Sequence, residues 1–111
     1  VLTFDSLGGR HPAVQTAVKN YLRNEAWDKK QLRIDPQPAY IDVNVPGQSN
    51  WCDCGLFVLL YFDRFFSNPS LFVNEIIPER DDEAEAWQAE SAGQARRNLR
   101  KLVDGLSAEW L

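Results

Sequence analysis

The chain has no methionine, one histidine and only two cysteines among 111 residues. It has no surplus of positive charge and no long apolar run. Two cysteines cannot build a disulfide framework, so the oxidised scaffold of a small secreted domain is excluded and a reducing compartment fits better. Cys52, Cys54 and the distant His11 fall short of the four ligands that structural zinc wants, so no metal is expected. A net charge of −4 excludes the broad basic footprint that nucleic acids and anionic membranes require. The longest apolar stretch, Leu56 to Phe62, is too short to cross a bilayer. No secretory or transit pattern is visible. The chain opens on VLTFDSL, an apolar strand-like run, and is therefore expected to be a piece of something longer.

What is present is a globular mix, 44% apolar and 25% charged, sized for one domain at most. Val1 to Phe4 predicts a short buried strand, and Gly8-Gly9 a turn. Pro12 suits a helix start, and Val14, Val18, Tyr21 and Leu22 follow at helical spacing, predicting a helix over about 12–27. Pro36 and Pro38 break any regular element. Tyr40, Ile41 and Val43 predict a second strand, closed by Pro46-Gly47. Residues 53–66 predict a helix buried on most of its circumference, ended at Asn68-Pro69. The acidic stretch 79–90 reads as a solvated helix or loop face. Leu99, Leu102, Val103, Leu106 and Trp110 form the stripe of an amphipathic C-terminal helix, with Arg96, Arg97, Arg100 and Lys101 on its wet face. The order strand, helix, strand, helix, helix predicts an α+β (mixed α/β) domain, a small sheet covered by helices.

The chemistry concentrates in VPGQSNWCDCG, residues 45–55. Cys54 falls at the start of the central helix, where the first backbone N–H groups and the positive end of the dipole favour thiolate over thiol. Gly55 leaves room beside it for a substrate backbone. A thiol attacking a carbonyl makes an oxyanion, and the Gln48 amide together with the Cys54 N–H could supply its donors. Taken alone, these features are equally those of a buried structural cysteine and a turn glutamine. Cys52 reads as a bystander, and Asp53 as a helix cap.

This segment resembles the nucleophile motif of the ubiquitin-like-protein-specific (SUMO, or sentrin-specific) cysteine proteases: a proline, then Q-x-N-x-x-D-C-G leading into an apolar helix. Gln48, Asn50, Asp53, Cys54 and Gly55 match it in register. FDSL at 4–7 resembles the family strand that ends in the triad aspartate, followed by a helix carrying a Tyr-Leu pair, here Tyr21-Leu22. LFVLLYFDRFFSNP is similar to the branch that edits poly-SUMO chains. The resemblance implies a papain-like half-domain with Cys54 as nucleophile, Asp5 as orienting acid and Gln48 as oxyanion donor. It implies no cofactor, SUMO and SUMO-conjugated proteins as partners, and an intracellular, nuclear setting. For Asp5, a buried strand end also suits a carboxylate that locks an imidazole in one tautomer.

The family's histidine lies upstream of this aspartate, and only four residues precede Asp5. His11 lies downstream, does not match it, and reads as a surface residue at a helix start. The family's upstream tryptophans are missing as well. The expectation is the C-terminal half of a catalytic domain, inactive alone, that needs an N-terminal half to bring the base. Two other readings stay open: an enzyme of the same broad clan, either a protease for another ubiquitin-like modifier or an acetyltransferase, and a non-catalytic docking module.

Overall fold

In a computed structural model, residues 1–34 and 39–110 are described; the break expected at Pro36 and Pro38 lies outside them. Strand β1, Leu2–Phe4, runs into helix α1, Pro12–Lys30, and returns as strand β2, Ile41–Val43. The two strands pair in parallel, with Thr3 opposite Asp42. Parallel pairing needs a crossover, and α1 supplies it. The helix outruns its expected end and closes at Gln31, whose left-handed φ of 52° lets its own N–H donate to the Trp27 carbonyl and the Leu32 N–H to the Ala26 carbonyl.

Helix α2, Cys54–Ser67, follows the loop after β2. Asn68-Pro69 ends it as expected, but the chain goes straight into another helix, α3, Pro69–Glu79, bent 96° from α2. Pro69 lacks the N–H that would have continued α2, and Asn68 caps the new helix by accepting from the Leu71 N–H. This helix, wound as a π-helix over Phe72–Ile76, was missed by the sequence reading. Two single turns, Glu85–Trp87 and Ala89–Ser91, lead into the C-terminal helix α4, Ala92–Trp110.

The core is aromatic. Trp87 is fully buried and Phe72 nearly so, with their rings 4.6 Å apart. Tyr61 and Phe4 meet Trp87 edge-on at 5.8 and 6.1 Å. The indole N–H donates to the Asp81 carbonyl at 3.0 Å, so the ring is buried with its polar atom satisfied. The acidic stretch is thus only partly a solvated face, because Trp87 anchors it from within.

One expectation about burial fails. Helix α2 buries Phe57, Leu60 and Tyr61 but leaves Val58, Leu59, Phe62 and Phe66 more than half exposed. It is covered on one side, not around most of its circumference. The stripe Leu99, Leu102, Val103, Leu106 and Trp110 is also exposed; Ala92 is the buried residue of α4. No single helix among the described residues is long and apolar enough to cross a membrane.

Candidate active site

Asp5 follows the last residue of β1, at the carboxyl end of the parallel pair, where open α/β sheets place their ligand crevices. A cleft of about 540 Å³ opens there, lined by Asp5, Ser6, Asn44, Gln48 and Arg80 among others. Both oxygens of Asp5 are engaged. Oδ1 accepts the Leu7 N–H at 2.8 Å, and Oδ2 meets His11 Nε2 at 2.6 Å. The Leu7 N–H, then the His11 bond, hold the carboxyl below its ordinary value, against a smaller opposing effect of burial. Gly9 is needed here, since a Cβ on it would stand 2.6 Å from Asp5 Oδ2 and 3.3 Å from His11 Nε2. His11 is exposed at the helix start, as expected, but its ring is engaged by Asp5. A reversal spanning six residues folds it back onto the candidate acid.

Gln48 is tied to the same strand end. Its backbone N–H donates to the Ser6 carbonyl at 2.9 Å, and its Oε1 accepts from the Ser6 hydroxyl. That fixes the amide with Nε2 as the outward donor, and Nε2 at present donates to the Asn50 carbonyl. The amide nitrogen is thus the donating end, held within the loop. Tyr61 joins α2 to this loop by donating to the Pro46 carbonyl at 2.5 Å. Burial first, and the charge of Asp5 second, push its hydroxyl upward, so it stays a proton donor.

Cys54 is the first residue of α2 and is exposed, as expected for a thiol over a helix N-terminus. A Cβ on Gly55 would meet nothing within 4 Å, so the space beside the thiol is open. The loop before it is held by one side chain. Asn50 Oδ1 accepts the N–H groups of Cys52 at 3.0 Å and Asp53 at 2.9 Å, while its amide donates to Asp53 Oδ2 at 2.8 Å. Asp53 occupies the N-cap position, and its carbonyl accepts from Leu56 and Phe57. Its side chain makes no cap, however. Its carboxylate is occupied by Asn50 and by Arg96 of α4, which together lower its pKa. Arg96 keeps to the wet face of α4 as expected, with its side chain 64% exposed, and from there it reaches Asp53. Its identity as the partner of Asp53 had no sequence signal, because 43 residues separate them. No group of three or more metal-ligating side chains occurs among the described residues.

Asp5 and Gln48 thus share one cleft at the strand end, and Cys54 opens the helix that follows, outside the lining of that cleft. The profile of the Ulp1 protease family, C-terminal catalytic domain, matches residues 1–98, and the chain belongs to this family. It is 26% identical to ubiquitin-like-specific protease 2 of Schizosaccharomyces pombe over 99% of this chain and 18% of that protein. It is 38% identical over 67 residues to the ubiquitin-like-specific protease ESD4 of Arabidopsis thaliana, covering 59% of this chain and 14% of that one. A solved structure described as the de-sumoylating protease superposes with a TM-score of 0.84 at 28% identity, covering 98% of this chain and 46% of that chain. The chain therefore spans less than a fifth of these curated relatives and about half of the solved neighbour. The α+β class and the membership in a SUMO-protease family expected from the sequence both hold.

Proposed function

We propose that this chain is the C-terminal half of a SUMO-specific cysteine protease domain, supplying Cys54, Asp5 and Gln48, with the imidazole base coming from an N-terminal half. Cys54 attacks the carbonyl after the C-terminal Gly-Gly of SUMO. The Gln48 amide and the Cys54 N–H hold the oxyanion, the amine or lysine leaves, and water hydrolyses the thioester. Asp5 holds the incoming imidazole in the tautomer that accepts the thiol proton. No step needs a cofactor. SUMO and its conjugates are the partners. The setting is intracellular, where both thiols stay free, and by the same resemblance nuclear.

The observation that carries the half-domain reading is surface. The chain exposes 8500 Å², whereas a compact monomer of this size exposes about 6200 Å². Its radius of gyration is 17.5 Å, against about 13 Å for a compact domain of this length. The surplus is apolar where it matters: Val58, Phe62 and Phe66 stand along the open side of the nucleophile helix. On the strand side, Asp42 Oδ1 is buried and has no hydrogen-bond partner among the described residues. Both features suit a further segment packed on these faces.

A SUMO probe with a C-terminal electrophile tests the reading, with the adduct mapped by mass spectrometry. Labelling of Cys54 is expected in the full-length protein, and in this chain only when an N-terminal half is added. Labelling of the isolated chain at full rate would remove the need for the second half. No adduct in the folded full-length protein would shift the reading to another modifier or to a docking module.

A further inference from the structure

We propose that Arg96 is a positioning residue for the Cys54 thiol, acting through Asp53. The inference rests on Cys54 being the nucleophile. A helix N-terminus favours thiolate, but Asp53 places a carboxylate on the adjoining residue, and a like charge opposes ionisation of the thiol. The sequence therefore contains a conflict at the point where the chemistry needs a thiolate. The fold answers it from a distance. The guanidinium of Arg96 donates to Asp53 Oδ1 and the Asn50 amide donates to Oδ2, so both oxygens are taken.

Leu56, Leu59 and Leu60 of α2 and Ala92, Ala95 and Leu99 of α4 line one groove between the two helices. Arg96 follows Ala95 in the chain, and its side chain pairs with Asp53. The ionisable groups meeting here are Cys52 and Asp53 on the loop and Arg96 on α4, with Cys54 next in the chain. The Cys52 thiol lies 3.3 Å from Asn50 Oδ1 and 3.9 Å from Asp53 Oδ1, on the same side of the pair. Arg96 thus offsets the charge of Asp53 and leaves the helix terminus to favour the Cys54 thiolate. A guanidinium suits the role because it stays charged and its planar fork holds a carboxylate in one orientation.

The test is the pH dependence of iodoacetamide alkylation at Cys54 in the full-length protein, in a Cys52→Ser background, read peptide by peptide by mass spectrometry. Arg96→Ala is expected to move the midpoint upward by about half to one pH unit and to lower neutral-pH alkylation about three- to tenfold. Cleavage of a SUMO substrate at neutral pH should fall in parallel. Arg96→Lys should recover most of the loss. Asp53→Asn should move the midpoint the other way, and Asp53→Asn with Arg96→Ala should return it close to the starting value. If Arg96→Ala does not fold, Asp53→Asn and Arg96→Lys carry the test. An unmoved midpoint in Arg96→Ala or Asp53→Asn overturns the proposal, even where the melting temperature falls, since loss of helix docking alone does not shift a thiol titration. Absence of a Cys54 adduct with the SUMO electrophile in the unaltered protein would instead overturn the protease reading itself.

Discussion

At the acid loop, both oxygens of Asp5 are engaged by groups no more than six residues away, the Leu7 N–H and His11. At the thiol loop, Cys54 is exposed, and the contacts that shape its surroundings belong to Asn50, Asp53 and the distant Arg96. The carboxylate is finished by local chain, whereas the thiol depends on parts brought from elsewhere. Under the proposed roles this contrast is what a triad needs: the acid orients and can be held rigidly, while the nucleophile must stay open to substrate and base. The same contrast runs through the packing. The side of α2 facing Phe4 and Trp87 is closed, and the side bearing Phe62 and Phe66 is open.

The largest effect that tests this contrast is on turnover. In the full-length protein, Asp5→Asn should leave the fold intact, since the amide oxygen can still accept from Leu7, yet cut kcat by about 10²–10⁴ by releasing the imidazole from its working tautomer. Steady-state cleavage of a SUMO fusion measures it. A loss below tenfold would mean that the finished carboxylate is only a turn cap. Gln48→Ala should cost about 10²–10³ in kcat with a small change in KM, because the amide acts on charge that develops during reaction. A change confined to KM would make Gln48 a loop brace through Ser6 and Asn50 and no more.

A smaller effect lies in acid stability. The folded-state pKa of Asp5 is lowered, chiefly by the Leu7 N–H and next by His11. A lowered acid stabilises the fold fully above its unfolded value near 3.9, and this contribution is lost as pH falls through the folded value. The gap in melting temperature between the unaltered chain and Asp5→Asn should therefore be constant from neutral pH to about pH 5 and should shrink below about pH 4. A gap that persists undiminished at the lowest pH would show that Asp5 stabilises by shape and not by charge.

Much of this was legible in the sequence for a physical reason: strands, turns and helix starts are set by neighbouring residues. VLTF, Gly8-Gly9, Pro12 and the Asn68-Pro69 stop each did locally what was expected. Cys54 at a helix start, Asp5 after a strand and Gln48 on the intervening loop were legible for the same reason, with the motif spacing adding their association. Long-range features were not legible. Periodicity shows that α2 is apolar all round but not which side has a neighbour in this chain, so the exposure of Phe62 and Phe66 was missed. Trp87 sits in an acidic stretch whose charge hides its role as the centre of the core. Arg96 looked like one of four solvated cations until the fold brought it to Asp53.

His11 gives the smallest effect and the sharpest test of the comparison. Sequence position denies it the family role, whereas the structure sets its Nε2 2.6 Å from the candidate acid. If it only braces Asp5, His11→Ala frees one carboxylate oxygen and leaves the Leu7 bond in place. Activity of the full-length protein should then change by no more than about threefold, against the 10²–10⁴ that removing a general base costs. Activity could even rise, because an imidazole arriving from an N-terminal half would no longer share Oδ2. A loss of a hundredfold or more, matched by His11→Ala in the isolated chain, would make His11 the base. The acid loop would then be a catalytic dyad complete within this chain, and the contrast between a finished acid and a dependent thiol would fail at its acid end.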